Sequence, residues 1–167
     1  MELLYSKDLI AAEVARLGAQ ISRDYAGVEV VVVVVLKGAF MFAADLLRNI
    51  SVPLTLEFIQ AASYHNETSS NRDVKIILDL NSDIEGKHVI LIEDILDTGH
   101  TLSSLRRLML QRNPASVRLC TLLDKKERRE TEIEADYVGM AIEDKFVVGY
   151  GLDHAGKYRN LGQIYTI

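Results

Sequence analysis

Val89-Ile90-Leu91-Ile92-Glu93-Asp94-Ile95-Leu96-Asp97-Thr98-Gly99-His100-Thr101-Leu102 is the stretch that decides how this 167-residue chain is built. An apolar run, read as a strand over His88–Ile92, ends in two adjacent carboxylates. Two apolar residues follow, then Asp97-Thr98-Gly99 and Thr101, then a helix expected over Leu102–Asn113 and closed by Pro114. Like charges side by side repel, so a ligand or cation is expected to make the pair Glu93-Asp94 tolerable.

Working outward, Val28–Leu36 holds six consecutive valines. β-branched residues on both faces predict a strand covered on both sides, as in the middle of a parallel sheet. Upstream, Ser6 can cap a helix over Lys7–Tyr25, with Ile10, Val14, Leu17 and Ile21 on one face and Gly27 as its stop. Downstream, Ala39–Asn49 reads as a short apolar helix and Leu54–Ala61 as a second strand. Ser63–Arg72 is polar, without periodicity, and reads as a long exposed loop. Further strands are predicted over Val74–Leu80 and Ser116–Leu123. Short pieces follow at Tyr137–Ile142, Phe146–Val148 and Ile164–Ile167. Alternating strands and helices predict an α/β fold: a doubly wound, mostly parallel central sheet flanked by helices. The expected organisation is one domain, 1–167, with a core over about 1–123. A small hood over about 124–167 would cap the sheet edge, and N-terminal residues can contribute to it.

The composition is that of an ordinary soluble globular protein, with 49% apolar and 26% charged residues. The net charge of −5 argues against a dedicated nucleic-acid binder, which usually carries a basic face. The longest strongly apolar run, Val30–Leu36, is far shorter than the ~20 residues that span a membrane. The N-terminus lacks a signal pattern, so a cytoplasmic location is expected. A single cysteine, Cys120, excludes a disulfide within the chain and reads as a buried, inert thiol.

In doubly wound sheets, ligands bind at the carboxyl ends of the strands. That rule draws together Lys37-Gly38, Glu93–Thr101 and Asp124-Lys125. Thr98, Gly99 and Thr101 offer hydroxyls and backbone N–H groups where the helix macrodipole is positive, which suits a phosphate. The bland alternative is a helix capped by Thr98 or Thr101. There is no Walker A loop and no Gly-x-Gly-x-x-Gly. Vicinal hydroxyls can donate to Glu93 and Asp94, and Mg²⁺ is the natural cation for oxygen ligands near phosphates.

The run Val89–Leu102 resembles the phosphoribosyl-pyrophosphate signature of type I phosphoribosyltransferases: four hydrophobic residues, two acids, two hydrophobic residues, then Asp-Thr-Gly-x-Thr. Leu36-Lys37-Gly38 resembles the family's pyrophosphate loop, and Ser63-Tyr64 the start of its mobile flap. Leu123-Asp124-Lys125, Lys145–Asp153 and Lys157–Leu161 resemble one subgroup, the hypoxanthine (guanine) phosphoribosyltransferases of purine salvage. The resemblance implies roles for individual residues. Glu93 and Asp94 would hold the ribose hydroxyls. Thr98, Gly99 and Thr101, with the His100 backbone, would cradle the 5-phosphate. Asp97 would manage the proton at the purine N7. Lys37 and Gly38, after a peptide that is often cis in this family, would face pyrophosphate with Arg159, Ser63 and Tyr64. Lys125 would donate to the purine 6-oxo group, although the surrounding run Asp124–Glu130 is of a mixed-charge kind that is usually solvated. Phe146 would stack on the base and the Val147 backbone would read its edge. Asp153 would join Glu93 and Asp94 toward Mg²⁺.

Three positions depart from the pattern: His100 where lysine, glutamine or arginine is common, Ala39 where a second glycine is frequent, and Gly162 where proline is common. The implied reaction moves ribosyl-5-phosphate from phosphoribosyl pyrophosphate to N9 of a 6-oxopurine, giving IMP or GMP and pyrophosphate. A homodimer or homotetramer is implied by the same resemblance. Two alternatives remain: a regulator on this fold that senses phosphoribosyl pyrophosphate, and a phosphoribosyltransferase for another base. The residues do not rank hypoxanthine, guanine and xanthine.

Overall fold

The six valines form the middle of the molecule. In the computed structural model, which describes residues 1–63 and 74–167, every one of Val30–Val35 is buried. Burying a valine side chain contributes roughly 1.5–3 kcal/mol, so this strand alone is a large part of the core. In chain order the elements are β1 (Glu2–Tyr5), α1 (Lys7–Asp24), β2 (Val30–Leu36), α2 (Phe40–Leu47), β3 (Leu54–Ser63), β4 (Val74–Leu78), β5 (His88–Leu96), α3 (His100–Leu110), β6 (Ser116–Asp124), β7 (Tyr137–Ala141), β8 (Val147–Val148) and β9 (Ile164–Thr166), with a 3₁₀ turn over Lys126–Arg128.

A six-stranded sheet has the order β4-β3-β2-β5-β6-β7. All its pairs are parallel except the edge pair β3–β4. Successive residues of a strand face opposite sides, and the core divides accordingly. Val30, Val32 and Val34 pack with α1 and α2, whereas Val31, Val33 and Val35 pack with α3. This is the doubly wound α/β architecture that the sequence predicts. The chain leaves β2 toward β3 on one side and leaves β5 toward β6 on the other. The crevice between the carboxyl ends of β2 and β5 is therefore the switch point at which such sheets bind ligands.

A second, antiparallel sheet has the order β1-β9-β8. Val147 and Ile164 of this sheet, with Tyr150 and Leu152 from the segment after β8, join the core on the α1/α2 side. The Tyr150 hydroxyl bonds to Asp45 of α2 at 2.5 Å, tying this sheet to the helix that follows β2.

Several boundaries move. Ser6 caps α1 as expected, its Oγ accepting from the Leu9 N–H at 3.3 Å. β1 is a strand that the sequence reading did not assign; it forms because β9 lies beside it. β5 continues to Leu96 rather than stopping at Ile92, because β6 runs alongside it as far as the pair Leu96–Asp124. α3 begins at His100, not Leu102, and ends at Leu110, not Asn113. Tyr137–Ala141, read as part of the C-terminal section, pairs with β6 as the sixth strand of the main sheet. Cys120 is buried, and burial pushes its thiol up, as expected of an inert cysteine. Tyr64 and nearly all of the predicted loop Ser63–Arg72 lie outside the described residues. Among the described residues no helix is long and apolar enough to cross a membrane.

Candidate active site

The parallel register Val34–Ile92 sets Lys37-Gly38, just beyond β2, beside Asp94 of β5. The Leu36–Lys37 peptide is cis. Gly38 lies so close to Asp94 that a Cβ on it would come within 1.8 Å of Asp94 Oδ2. A side chain there would have to displace the Asp94 carboxylate, so glycine lets the backbone of this loop lie against the acid pair. Lys37 itself is exposed.

Because β5 runs to Leu96, Glu93 and Asp94 sit within the strand, not past its end. The ladder to β6 therefore fixes their backbone. The Asp94 N–H donates to Glu93 Oε1 at 3.0 Å, and the Ile95 N–H to Asp94 Oδ1 at 2.7 Å. Burial, then repulsion from Asp94, holds the Glu93 carboxyl well above the usual carboxylate range. Burial also raises Asp94, against the pull of its hydrogen bonds and of Arg159. Among the described residues neither acid has an ion-pair partner within 4 Å.

A cleft of about 240 Å³ opens next to them, lined by residues 93–99, 101 and 102. Gly99, at φ 89°, caps α3 with no side-chain hydrogen bond. The bland alternative, a cap by Thr98 or Thr101, does not form: Gly99 in the left-handed conformation is the cap, and the helix starts two residues before Leu102. The two hydroxyls are left available beside the helix N-terminus. His100 does not line the cleft; its Nε2 meets Glu130 Oε2 at 2.5 Å.

At the end of β6 the charge run Asp124–Glu130 is not uniformly solvated, as such a run is expected to be. Lys125 is only 5% exposed. Its Nζ lies 4.0 Å from Asp97 Oδ2 and 3.7 Å from Asp144 Oδ1. Asp97 Oδ1 is buried without a hydrogen-bond partner, with Arg128 Nε 3.4 Å away. Arg128 and Asp144 were missed by the sequence reading. The available signal was the turn: residues three apart in a 3₁₀ turn eclipse, which sets Arg128 on the same side as Lys125. Phe146 is 53% exposed, with the His154 ring edge-on at 5.3 Å, so it is not a core phenylalanine. Val147 is buried in β8.

Asp153 and Arg159 form an ion pair at 2.9 Å. Arg159 Nη1 also donates to the Gly151 carbonyl at 2.6 Å. Gly151, at φ 98°, would put a Cβ 2.1 Å from the Gly38 carbonyl, so the backbone after β8 touches the loop after β2. The structure thus links Gly38 with Asp94, Gly151 and Arg159 on one side, and Asp97 with Lys125 on the other. Ser63 stands apart from these contacts, exposed at the end of β3.

Acids within a strand, a glycine-capped helix beyond them and a close-packed glycine loop thus meet at the switch point, where sheets of this class bind ligands. Residues 2–155 match the model of the phosphoribosyl transferase domain, and the chain belongs to that family. It is 47% identical over 167 residues to a hypoxanthine phosphoribosyltransferase of Haemophilus influenzae, covering 98% of this chain and 93% of the relative. It is 48% identical to a hypoxanthine-guanine phosphoribosyltransferase of Staphylococcus aureus, covering 99% and 93%. A crystal structure of a hypoxanthine-guanine phosphoribosyltransferase from Bacillus anthracis superposes with a TM-score of 0.96 at 46% identity, over 100% of this chain and 98% of that one.

Proposed function

We propose that the chain transfers ribosyl-5-phosphate from phosphoribosyl pyrophosphate to N9 of hypoxanthine or guanine, releasing pyrophosphate. One observation carries the choice of base: the buried Lys125 ammonium stands 4.0 Å from one oxygen of the Asp97 carboxylate, whose other oxygen has no hydrogen-bond partner. A 6-oxopurine presents O6 and N7 on one edge. Lys125 suits O6 as a donor, and Asp97 suits a protonated N7 as an acceptor. Adenine would set its amino group against the ammonium.

In this reading Glu93 and Asp94 accept hydrogen bonds from the ribose hydroxyls, and burial makes those bonds stronger than they would be in water. Thr98, Gly99, His100 and Thr101 supply backbone N–H groups and hydroxyls to the 5-phosphate at the start of α3. Lys37 and Gly38 face the pyrophosphate, with Arg159 countering the charge that develops on it as the bond to ribose breaks. Ser63, at the end of β3, and Tyr64, outside the described residues, are assigned to the same subsite on the family resemblance alone. The ribosyl carbon becomes cationic, so the negative charge of the β5 acids lies where it helps. Asp97 handles the N7 proton. Phe146 stacks on the base, and Val147 meets its edge through the backbone. No nucleophile on the protein is needed.

The donor set fits Mg²⁺. Glu93 and Asp94 are hard oxygen ligands without an ion-pair partner among the described residues. Those residues hold no cluster of three metal-binding side chains. Glu93 and Asp94 are the residues that would hold the ion; Asp153, expected to join them, is instead ion-paired with Arg159 and forms no three-residue cluster with them among the described residues. When bound, Mg²⁺ would supply charge neutralisation for the pyrophosphate.

Steady-state assays with hypoxanthine, guanine, xanthine and adenine at fixed phosphoribosyl pyrophosphate test the reading. Turnover of hypoxanthine or guanine without turnover of adenine is expected. Absence of turnover with any 6-oxopurine overturns it.

A further inference from the structure

The loop that opens α3 is held from behind by one short segment, residues 125–131. The Lys125 N–H donates to the Leu96 carbonyl at 2.9 Å. Arg129 Nε donates to the Asp97 carbonyl at 3.0 Å. The Glu130 N–H and the Thr131 hydroxyl donate to the Thr98 carbonyl at 2.9 and 3.3 Å. None of these donors lines the cleft. In a planar trans peptide the carbonyl and the next N–H point in opposite directions. Drawing the carbonyls of Leu96, Asp97 and Thr98 away from the cleft therefore aims the N–H groups of Asp97, Thr98 and Gly99 toward it.

The Leu96 and Thr98 carbonyls each accept from a backbone N–H, which almost any residue could provide. The Asp97 carbonyl depends on a side chain. The Arg129 guanidinium is fixed by an ion pair with the buried Asp124 and by donation to the Ile133 carbonyl at 2.7 Å. Its side chain is only 10% exposed, and its Cδ would lie 3.2 Å from a Cβ on Gly99. A buried ion pair is weak evidence of stabilisation in itself. The geometry that this one imposes on its neighbours is the better account of it.

We propose that Arg129 is a positioning residue: by holding the Asp97 carbonyl it sets the inward N–H groups of the Asp97–Thr101 loop and the place of the Asp97 carboxylate. The kinetic consequence rests on the phosphoribosyl-transfer reading. The conformational one rests on hydrogen bonds alone.

Arg129→Lys tests this in the full chain. It keeps a cation against Asp124, but a lysine ammonium lacks the planar fork that reaches Asp97, Asp124 and Ile133 together. Amide hydrogen exchange at Thr98–Thr101 is expected to accelerate about tenfold or more with β2 amides unchanged, as for the loss of one charge-assisted hydrogen bond. KM for phosphoribosyl pyrophosphate is expected to rise by a similar factor, with kcat lowered and KM for hypoxanthine little changed. Arg129→Ala should lose more, and added guanidinium ion at millimolar concentration should restore part of it. If Arg129→Ala does not fold, Arg129→Lys decides alone. Unchanged loop exchange in Arg129→Lys overturns the proposal, as does acceleration shared equally by β2. A folded Arg129→Ala chain that guanidinium does not rescue also counts against it. A wild-type chain with no turnover would overturn the functional reading and leave the exchange result to judge the positioning claim.

Discussion

The two acidic regions of the site are built on opposite principles. On β5, Glu93 and Asp94 face each other without an ion-pair partner among the described residues, and both carboxyls are pushed above the ordinary range. Beyond β5 and β7, Asp97 and Asp144 are matched by Lys125 and Arg128, which follow β6, at 3.4–4.0 Å. The first region is incomplete until a ligand supplies donors or a cation. The second is balanced without one and holds its polar groups in fixed places. A sugar with hydroxyls to donate fits the first; a planar base with a defined donor and acceptor edge fits the second.

The sharpest way to break this contrast is Asp97→Asn. Loss of the proton acceptor should lower kcat by about 10²–10⁴-fold, the usual range for general acid–base groups, with modest changes in KM. Activity near wild type would remove Asp97 from the chemistry. Lys125→Ala should come next. Deleting a charged hydrogen-bond donor should raise KM for the base about 10–100-fold and leave binding of phosphoribosyl pyrophosphate largely intact. An unchanged KM for the base would sink the assignment.

The unbalanced side predicts a pH effect on the ligand-free chain. A raised Glu93 means that the folded chain keeps a proton which the unfolded chain has already released. Stability therefore falls as pH rises from the ordinary carboxylate range to the raised value. Glu93→Gln should remove the Glu93 share of that fall and leave the share of Asp94. Thermal unfolding across pH should show the variant melting above wild type at neutral pH, and level with it near about pH 4. Parallel curves would mean that Glu93 is not perturbed. The smallest effect is expected at the junction of hood and core. Tyr150→Phe removes the hydrogen bond to Asp45 and should lower stability by about 1 kcal/mol, or Tm by about 2–4 °C. An unaltered Tm would show that the hydroxyl holds nothing.

Much of the fold could be read locally. The valine run, the amphipathic spacing of α1 and the strand–loop–helix signal at Val89–Leu102 each depend on residues close in sequence. The misses share one cause. β1 forms only because β9, from the other end of the chain, lies beside it. β5 gains its last residues from the length of β6. Arg128 and Arg129, adjacent in a run that reads as solvated, diverge: one reaches Asp97's carboxylate, the other is buried against Asp124. No periodicity in the sequence separates them.

From sequence alone come the alternation of strands and helices, the pair of acids, and the Asp97–Thr101 loop at a helix start, since strand, turn and cap preferences act over a few residues. Tertiary structure decided which charges are paired, which way the loop's carbonyls turn, and that Gly38 meets Asp94 at the β2–β5 crevice. Those outcomes depend on parallel pairing and burial between distant segments. The desolvation that raises Glu93 and the ion pair that fixes Arg129 exist only once those segments have come together.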